Sequence, residues 1–169
     1  MKLSVTKKIC YIAVLSALYV VLSAFLKINL IGNIQIDLGY LVFAVALCEF
    51  GIWGAPVGII GCALESMLFS AYGFSVSWLV ANAIIGIGCG LCFIKVKKDI
   101  WRVLLIVGFA ALGLLCAKTV IECNLYSIPY LVKIPKNAVA FGVDSAVMIG
   151  GYVFYKKVRD RILRIKQKK

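Results

Sequence analysis

The sequence predicts an all-α integral membrane protein of six transmembrane helices with both termini cytoplasmic, and three observations lead there. Of the 169 residues, 63% are hydrophobic and the mean hydropathy is +1.03. Only 15% are charged, against about 25% in soluble domains. Apolar segments recur along the chain at lengths near the roughly 20 residues that a helix needs to cross a bilayer, and the cations between them collect in alternate connections.

The first span covers 9–26, after Lys2, Lys7 and Lys8. Its basic flank and the small residues Ser23 and Ala24 imitate a secretion signal, but the apolar spans that follow argue for a retained helix. The second covers 38–50. The third, 56–72, begins at Pro56, a residue suited to the first turn of a helix. The fourth runs over 74–94, the fifth over 101–122 and the sixth over 137–155, with a basic tail at 156–169. Together they fill the chain as a single membrane domain, 1–169. The segment 123–136 carries Pro129 and Pro135, which discourage helix before Asn137, so it is expected to be the longest outer connection and a candidate lid. In the tail, Val158, Ile162 and Ile165 lie at i, i+4 and i+7 among basic residues, a pattern that fits either a helix on an anionic membrane surface or a solvated tail.

A net charge of +12 raises nucleic acid as a partner, but position argues for topology instead. The three N-terminal lysines, Lys95, Lys97, Lys98, Arg102 and the cations from Lys156 to Lys169 all fall on one side of a six-span arrangement. Lys27, Lys133 and Lys136 fall on the other, and Lys118 lies within a span. No nucleic-acid partner is expected.

Catalytic chemistry finds little support. Histidine is absent and no phosphate-binding G-x-x-x-x-G-K-[ST] loop is present, so the chain has no means of hydrolysing ATP itself. Cys89 and Cys92 form a C-x-x-C pair inside an apolar segment without a second pair, which favours packing over a metal. No cofactor and no metal are expected.

Ionisable groups inside spans are expensive in a bilayer and usually face a bundle interior or cavity. Glu65, Lys118, Glu122 and Asp144 are such groups, joined by the amide of Asn82. At 1.5 Å per residue each falls within roughly 12 Å of the outer end of its span. Helical spacing groups them into stripes: Glu65, Phe69 and Tyr72; Ser75, Trp78 and Asn82; Lys118 and Glu122; Asn137, Phe141 and Asp144. Aromatic rings beside hydrogen-bonding groups suit a pocket for a flat polar molecule. Against this stands a plainer account, in which Lys118 and Glu122 neutralise each other while Trp78, Tyr72 and Tyr126 belong to an aromatic belt. Asp37 is an outer-side candidate, and Glu49 falls at the inner side, away from the pocket. Small residues spaced by four, Gly54 with Gly58 and Gly86 with Gly90, fit internal packing, whereas Ala13 and Ala17 on the first span also fit a partner surface.

The order of several segments resembles the substrate-binding (S) component of energy-coupling factor (ECF) vitamin transporters. These are Ala13-Val-Leu-Ser-Ala17, Gly54-Ala-Pro-Val-Gly58, Ser77-Trp78 followed by Asn82 and Gly86, and Tyr126-Ser-Ile-Pro129 leading to Lys136-Asn137. The resemblance implies a multi-pass protein of a prokaryotic plasma membrane that binds a vitamin near the outer surface. It implies docking through Ala13 and Ala17 onto a membrane-embedded coupling subunit joined to two ABC ATPases. It also implies a pocket built from Asp37, Trp78, Asn82, Lys118, Glu122, Tyr126, Asn137 and Asp144. Glu65 and Phe141 complete the candidates read from spacing. Asp37, Asn82 and Ser77-Trp78 resemble riboflavin binders, whereas Glu65 and Ile128-Pro129 resemble folate binders, so riboflavin is favoured and folate or another B vitamin comes next. The mostly acidic set would equally suit a cationic or zwitterionic nutrient. A small proton-coupled secondary transporter is the alternative outside this family, and a membrane enzyme follows it.

Overall fold

A computed structural model describes residues 4–25, 28–30, 34–69, 74–96 and 98–167. Tyr72 and the ends of the first and third expected spans lie outside the described residues. Helix α1 (Val5–Phe25) leads into a short antiparallel hairpin, β1 (Ile28–Leu30) and β2 (Ile34–Ile36), paired Ile28 to Ile36 and Leu30 to Ile34. There follow α2 (Gly39–Phe50), a 3-10 turn (Gly51–Gly54), α3 (Ala55–Phe69) and α4 (Val76–Lys95). Helices α5 (Asp99–Ala110) and α6 (Lys118–Tyr126) are joined end to end by a π-helical stretch, Ala111–Ala117. The last helix, α7, runs Tyr130–Gln167.

Five helical stretches among the described residues are long and apolar enough to cross a membrane. One of them, Gly39–Phe69, is not straight. Along a straight helix Gly58 would stand about 22 Å from Phe43, yet a Cβ on Gly58 would lie 2.5 Å from the Phe43 ring. The chain therefore doubles back over Gly51–Gly54, and Gly51 makes the turn with φ of +59°, which side-chain-bearing residues rarely adopt. The helices pack as rods, with α2 and α3 forming an antiparallel pair.

Their contact depends on small residues, because between helices in lipid close approach and packing supply what apolar burial supplies in water. A Cβ on Gly90 would meet the backbone of Ile52, and one on Gly86 would meet Ala55, so both glycine pairs read from the sequence serve internal packing. Tyr19, Tyr40, Phe43, Leu47, Ile85, Ile106, Leu114 and Met148 are fully buried where the rods meet. Ala13 and Ala17 are exposed.

The prolines before Asn137 do not interrupt the chain as expected. Only Ser127–Pro129 separates α6 from α7, and Pro135 sits inside the second turn of α7. Pro129 precedes the helix, where a missing N–H is harmless, and Pro135 removes one hydrogen bond from a turn fixed elsewhere by its neighbours. A long lid over 123–136 is therefore absent, replaced by a tight corner. At the opposite end, the tail from Lys156 to Gln167 continues α7 as helix.

Candidate substrate-binding site

Polar side chains from six elements converge at the end of the bundle that holds the β-hairpin and the α6–α7 corner. Asp37 sits between β2 and α2. Its carboxylate accepts hydrogen bonds from the Ser23 hydroxyl at 2.5 Å, the Gly39 N–H at 2.8 Å and the Tyr19 hydroxyl at 3.2 Å, which ties the start of α2 to α1. Burial pushes the Asp37 carboxyl above its ordinary range, opposed by these donors and reinforced by nearby Glu65.

Glu122 is the hub of the second half. It accepts from Ser77 Oγ at 3.2 Å and Asn137 Nδ2 at 3.3 Å, and it faces Lys133 Nζ at 3.1 Å and Lys118 Nζ at 3.9 Å. Asn137 also donates to Thr119 Oγ1 at 2.9 Å. Lys118 Nζ lies 3.5 Å from the centroid of the Trp78 ring, a cation–π contact. The Trp78 ring in turn stands 6.5 Å from that of Tyr40.

Between the halves lie buried polar atoms with no hydrogen-bond partner: Asp144 Oδ1, both side-chain polar atoms of Asn82 and the Tyr40 hydroxyl; Ser16 Oγ on α1 and Ser145 Oγ on α7 are likewise unpartnered. Asn82 is fully buried beside Tyr40 and Cys62. Asp144 lies within electrostatic reach of Asp37 and Lys118 and joins the two halves. Unpartnered groups of this kind are rare in protein interiors, since each forfeits about 1–3 kcal/mol.

Of the residues read from the sequence, Asp37, Trp78, Asn82, Lys118, Glu122, Asn137 and Asp144 are brought together. Glu65 is half-buried on α3 and within electrostatic reach of Asp37. Phe141 packs against the apolar core below. Tyr126 stands on the corner, 59% exposed, outside the cluster. The cluster also contains Tyr19, Ser23, Tyr40, Thr119 and Lys133, none of them a candidate from the sequence. Three of them lie at legible spacings: Tyr19 and Ser23 share a face of α1, and Lys133 prolongs the Asn137 stripe by one turn. Glu49 lies at the far end, where it accepts from the Tyr155 hydroxyl at 2.6 Å. An open groove of about 480 Å³ lies there too, between Cys48, Glu49 and the α7 extension, and touches none of the candidates.

The family model of the ECF-type riboflavin transporter S component matches residues 3–143. The chain belongs to this family. The fold of this S component is also that of a crystal structure of the S-component for biotin from an ECF-type ABC transporter, with a TM-score of 0.65 and 16% identity over 92% of each chain. The site described above thus stands in a multi-pass membrane protein of a vitamin-transport family, a substrate-binding component rather than an enzyme.

Proposed function

We propose that this S component binds riboflavin at the cluster around Asn82 and Asp144 and delivers it through an ECF-type ABC importer. In this reading the single membrane domain crosses the membrane of a prokaryotic cell six times, with both termini cytoplasmic and the cluster near the outer surface. A coupling subunit docks against Ala13 and Ala17, and two separate ATPases supply the energy.

The observation that carries the substrate is the set of unpartnered buried atoms. An amide with both of its polar atoms free matches the edge of a planar ring that alternates carbonyl oxygens with an N–H. The riboflavin ring has such an edge. Asp144 Oδ1 would take the ring N–H, the Tyr40 hydroxyl would donate to one of its oxygens, and the Trp78 and Tyr40 rings supply flat apolar walls.

Absorption and mass spectra of the protein purified in mild detergent, followed by riboflavin titration, test this. A flavin spectrum is expected, and Asn82→Ala or Asp144→Ala should weaken binding about 5- to 150-fold while the protein stays folded. Unchanged affinity in both variants would move the pocket elsewhere. Another vitamin in the preparation would correct the substrate, and riboflavin uptake without any ATPase partner would favour proton-coupled transport.

A further inference from the structure

The corner where α6 meets α7 has an outer surface that the binding site does not use. Leu125 is 61% exposed, Tyr126 59%, Leu131 86% and Val132 65%, with Tyr130 and Ile134 close to half exposed. In contrast, Lys133 in the middle of this run turns inward to Glu122. The first turns of α7 thus turn Lys133 inward and keep Lys136 exposed, while their large apolar groups face outward. A contiguous apolar surface of this size on a water-exposed tip would be unusual and marks a contact surface.

Depth identifies what covers it. At the opposite end of the bundle Asp99 accepts hydrogen bonds from Tyr152 and Lys156, and Arg102 donates to the Val96 carbonyl at 2.8 Å. These charged groups mark the far membrane boundary. A hydrocarbon core of about 30 Å corresponds to roughly 20 residues of helix. Counted from Arg102 this length ends near Glu122, and counted back from Tyr152 along α7 it ends near Val132. Both helices leave the hydrocarbon at the corner, and Leu125 to Leu131 fall within the next few ångströms. Along the same two helices, half-exposed Val120 and Val139 continue the apolar surface down the flank of the bundle. Tyr126 and Tyr130 are residues suited to the boundary between acyl chains and headgroups.

We infer that the α6–α7 corner is a wedge seated in the headgroup–acyl boundary of the leaflet on the site's side, with lipid rather than water or protein as its partner. The element that presents Lys133 to Glu122 is thus anchored in the bilayer.

Leu131→Trp, at a position with room for the ring, tests this in the full chain reconstituted in phosphatidylcholine vesicles. The parent protein, measured in parallel, gives the signal of Trp53, Trp78 and Trp101 to subtract. The added fluorescence should fall about twofold with lipids that carry a quencher high on the acyl chain, and less with a quencher near the chain end, as an interfacial residue requires. Val132→Trp should behave alike. Strong quenching by aqueous iodide with none from either lipid would place the corner in water. Shielding from lipid and iodide together would mean a protein partner. Either result overturns the inference.

Discussion

Glu122→Gln keeps the size of the side chain and one acceptor oxygen for Ser77, and removes the charge. Lys118, 4% exposed, then keeps its position over Trp78 but has no anion on its own helix turn. Removing one partner of a buried ion pair costs about 3–5 kcal/mol, and the Trp78 face, worth about 2 kcal/mol when desolvated, limits the loss. Lys133 adds little, because its side chain is 19% exposed and free to swing toward water. A net cost of about 3 kcal/mol is expected, which for a domain of this size lowers Tm by roughly 6–12 °C. Lys118→Met added to Glu122→Gln should recover most of it, since a neutral pair carries no uncompensated charge. Thermal unfolding in mild detergent with and without ligand measures both. A loss below about 1 kcal/mol for Glu122→Gln, with no recovery in the double variant, would refute the reasoning and mean that the pair is solvated. If the double variant is stable and binds normally, the two residues serve only each other. If it is stable and binds poorly, they touch the ligand.

Gly58→Leu forces side-chain atoms into the Phe43 ring at the α2–α3 contact, and should lower stability by about 1–3 kcal/mol in thermal unfolding. Bulky residues at exposed Ala13 and Ala17 should abolish uptake in cells that carry the coupling subunits and spare ligand binding in detergent; loss of binding as well would mean that α1 packs differently. Asp37 has its folded-state carboxyl value raised by burial, so its contribution to stability is present in full below the ordinary value near 3.9 and is lost as pH rises through the raised value. The Tm difference between the parent and Asp37→Asn should therefore shift against the parent as pH rises across that window, and a flat difference would place Asp37 in a more solvated setting.

Much of this was legible because a bilayer penalises polar groups so heavily. Lys118, Glu122, Asn82 and Asp144 are conspicuous in the sequence because each interrupts an apolar run, and helical periodicity then gives the face. The spacing of Ser75, Trp78 and Asn82 led to Trp78 and Asn82 in the cluster, and neighbouring Ser77, part of the quoted Ser77-Trp78 segment, donates to Glu122. What escaped was set by tertiary context. Tyr40 is an ordinary aromatic in an apolar helix until its hydroxyl is seen buried without a partner. The hairpin at Ile28–Ile36 is too short to show a strand periodicity. Pro135 reads as a helix breaker, and is overruled because the Lys133–Glu122 and Asn137–Thr119 contacts hold the turn on either side of it. Tyr126 joins the pocket only through the resemblance, whereas its aromatic character fits the belt, and the sharp turn at Ser127, with φ of +51°, leaves it on the outer surface.

The π-helical stretch Ala111–Ala117 has a consequence for the ion pair just beyond it. Ile106, Ala110, Leu114, Lys118 and Glu122 follow one another at intervals of four and are all buried. At about 100° per residue a regular α-helix would carry Glu122 roughly 160° around the axis from Ile106, almost to the lipid side. A π-turn of about 4.4 residues advances only about 82° per residue, so the seven residues of this stretch take back roughly 125° of that rotation. The wider winding acts as a phase corrector that keeps one face inward over about four successive turns, apolar in the core and charged in the site. Rewinding the stretch as ordinary α-helix, with no side chain changed, would turn Lys118 and Glu122 out of the bundle together.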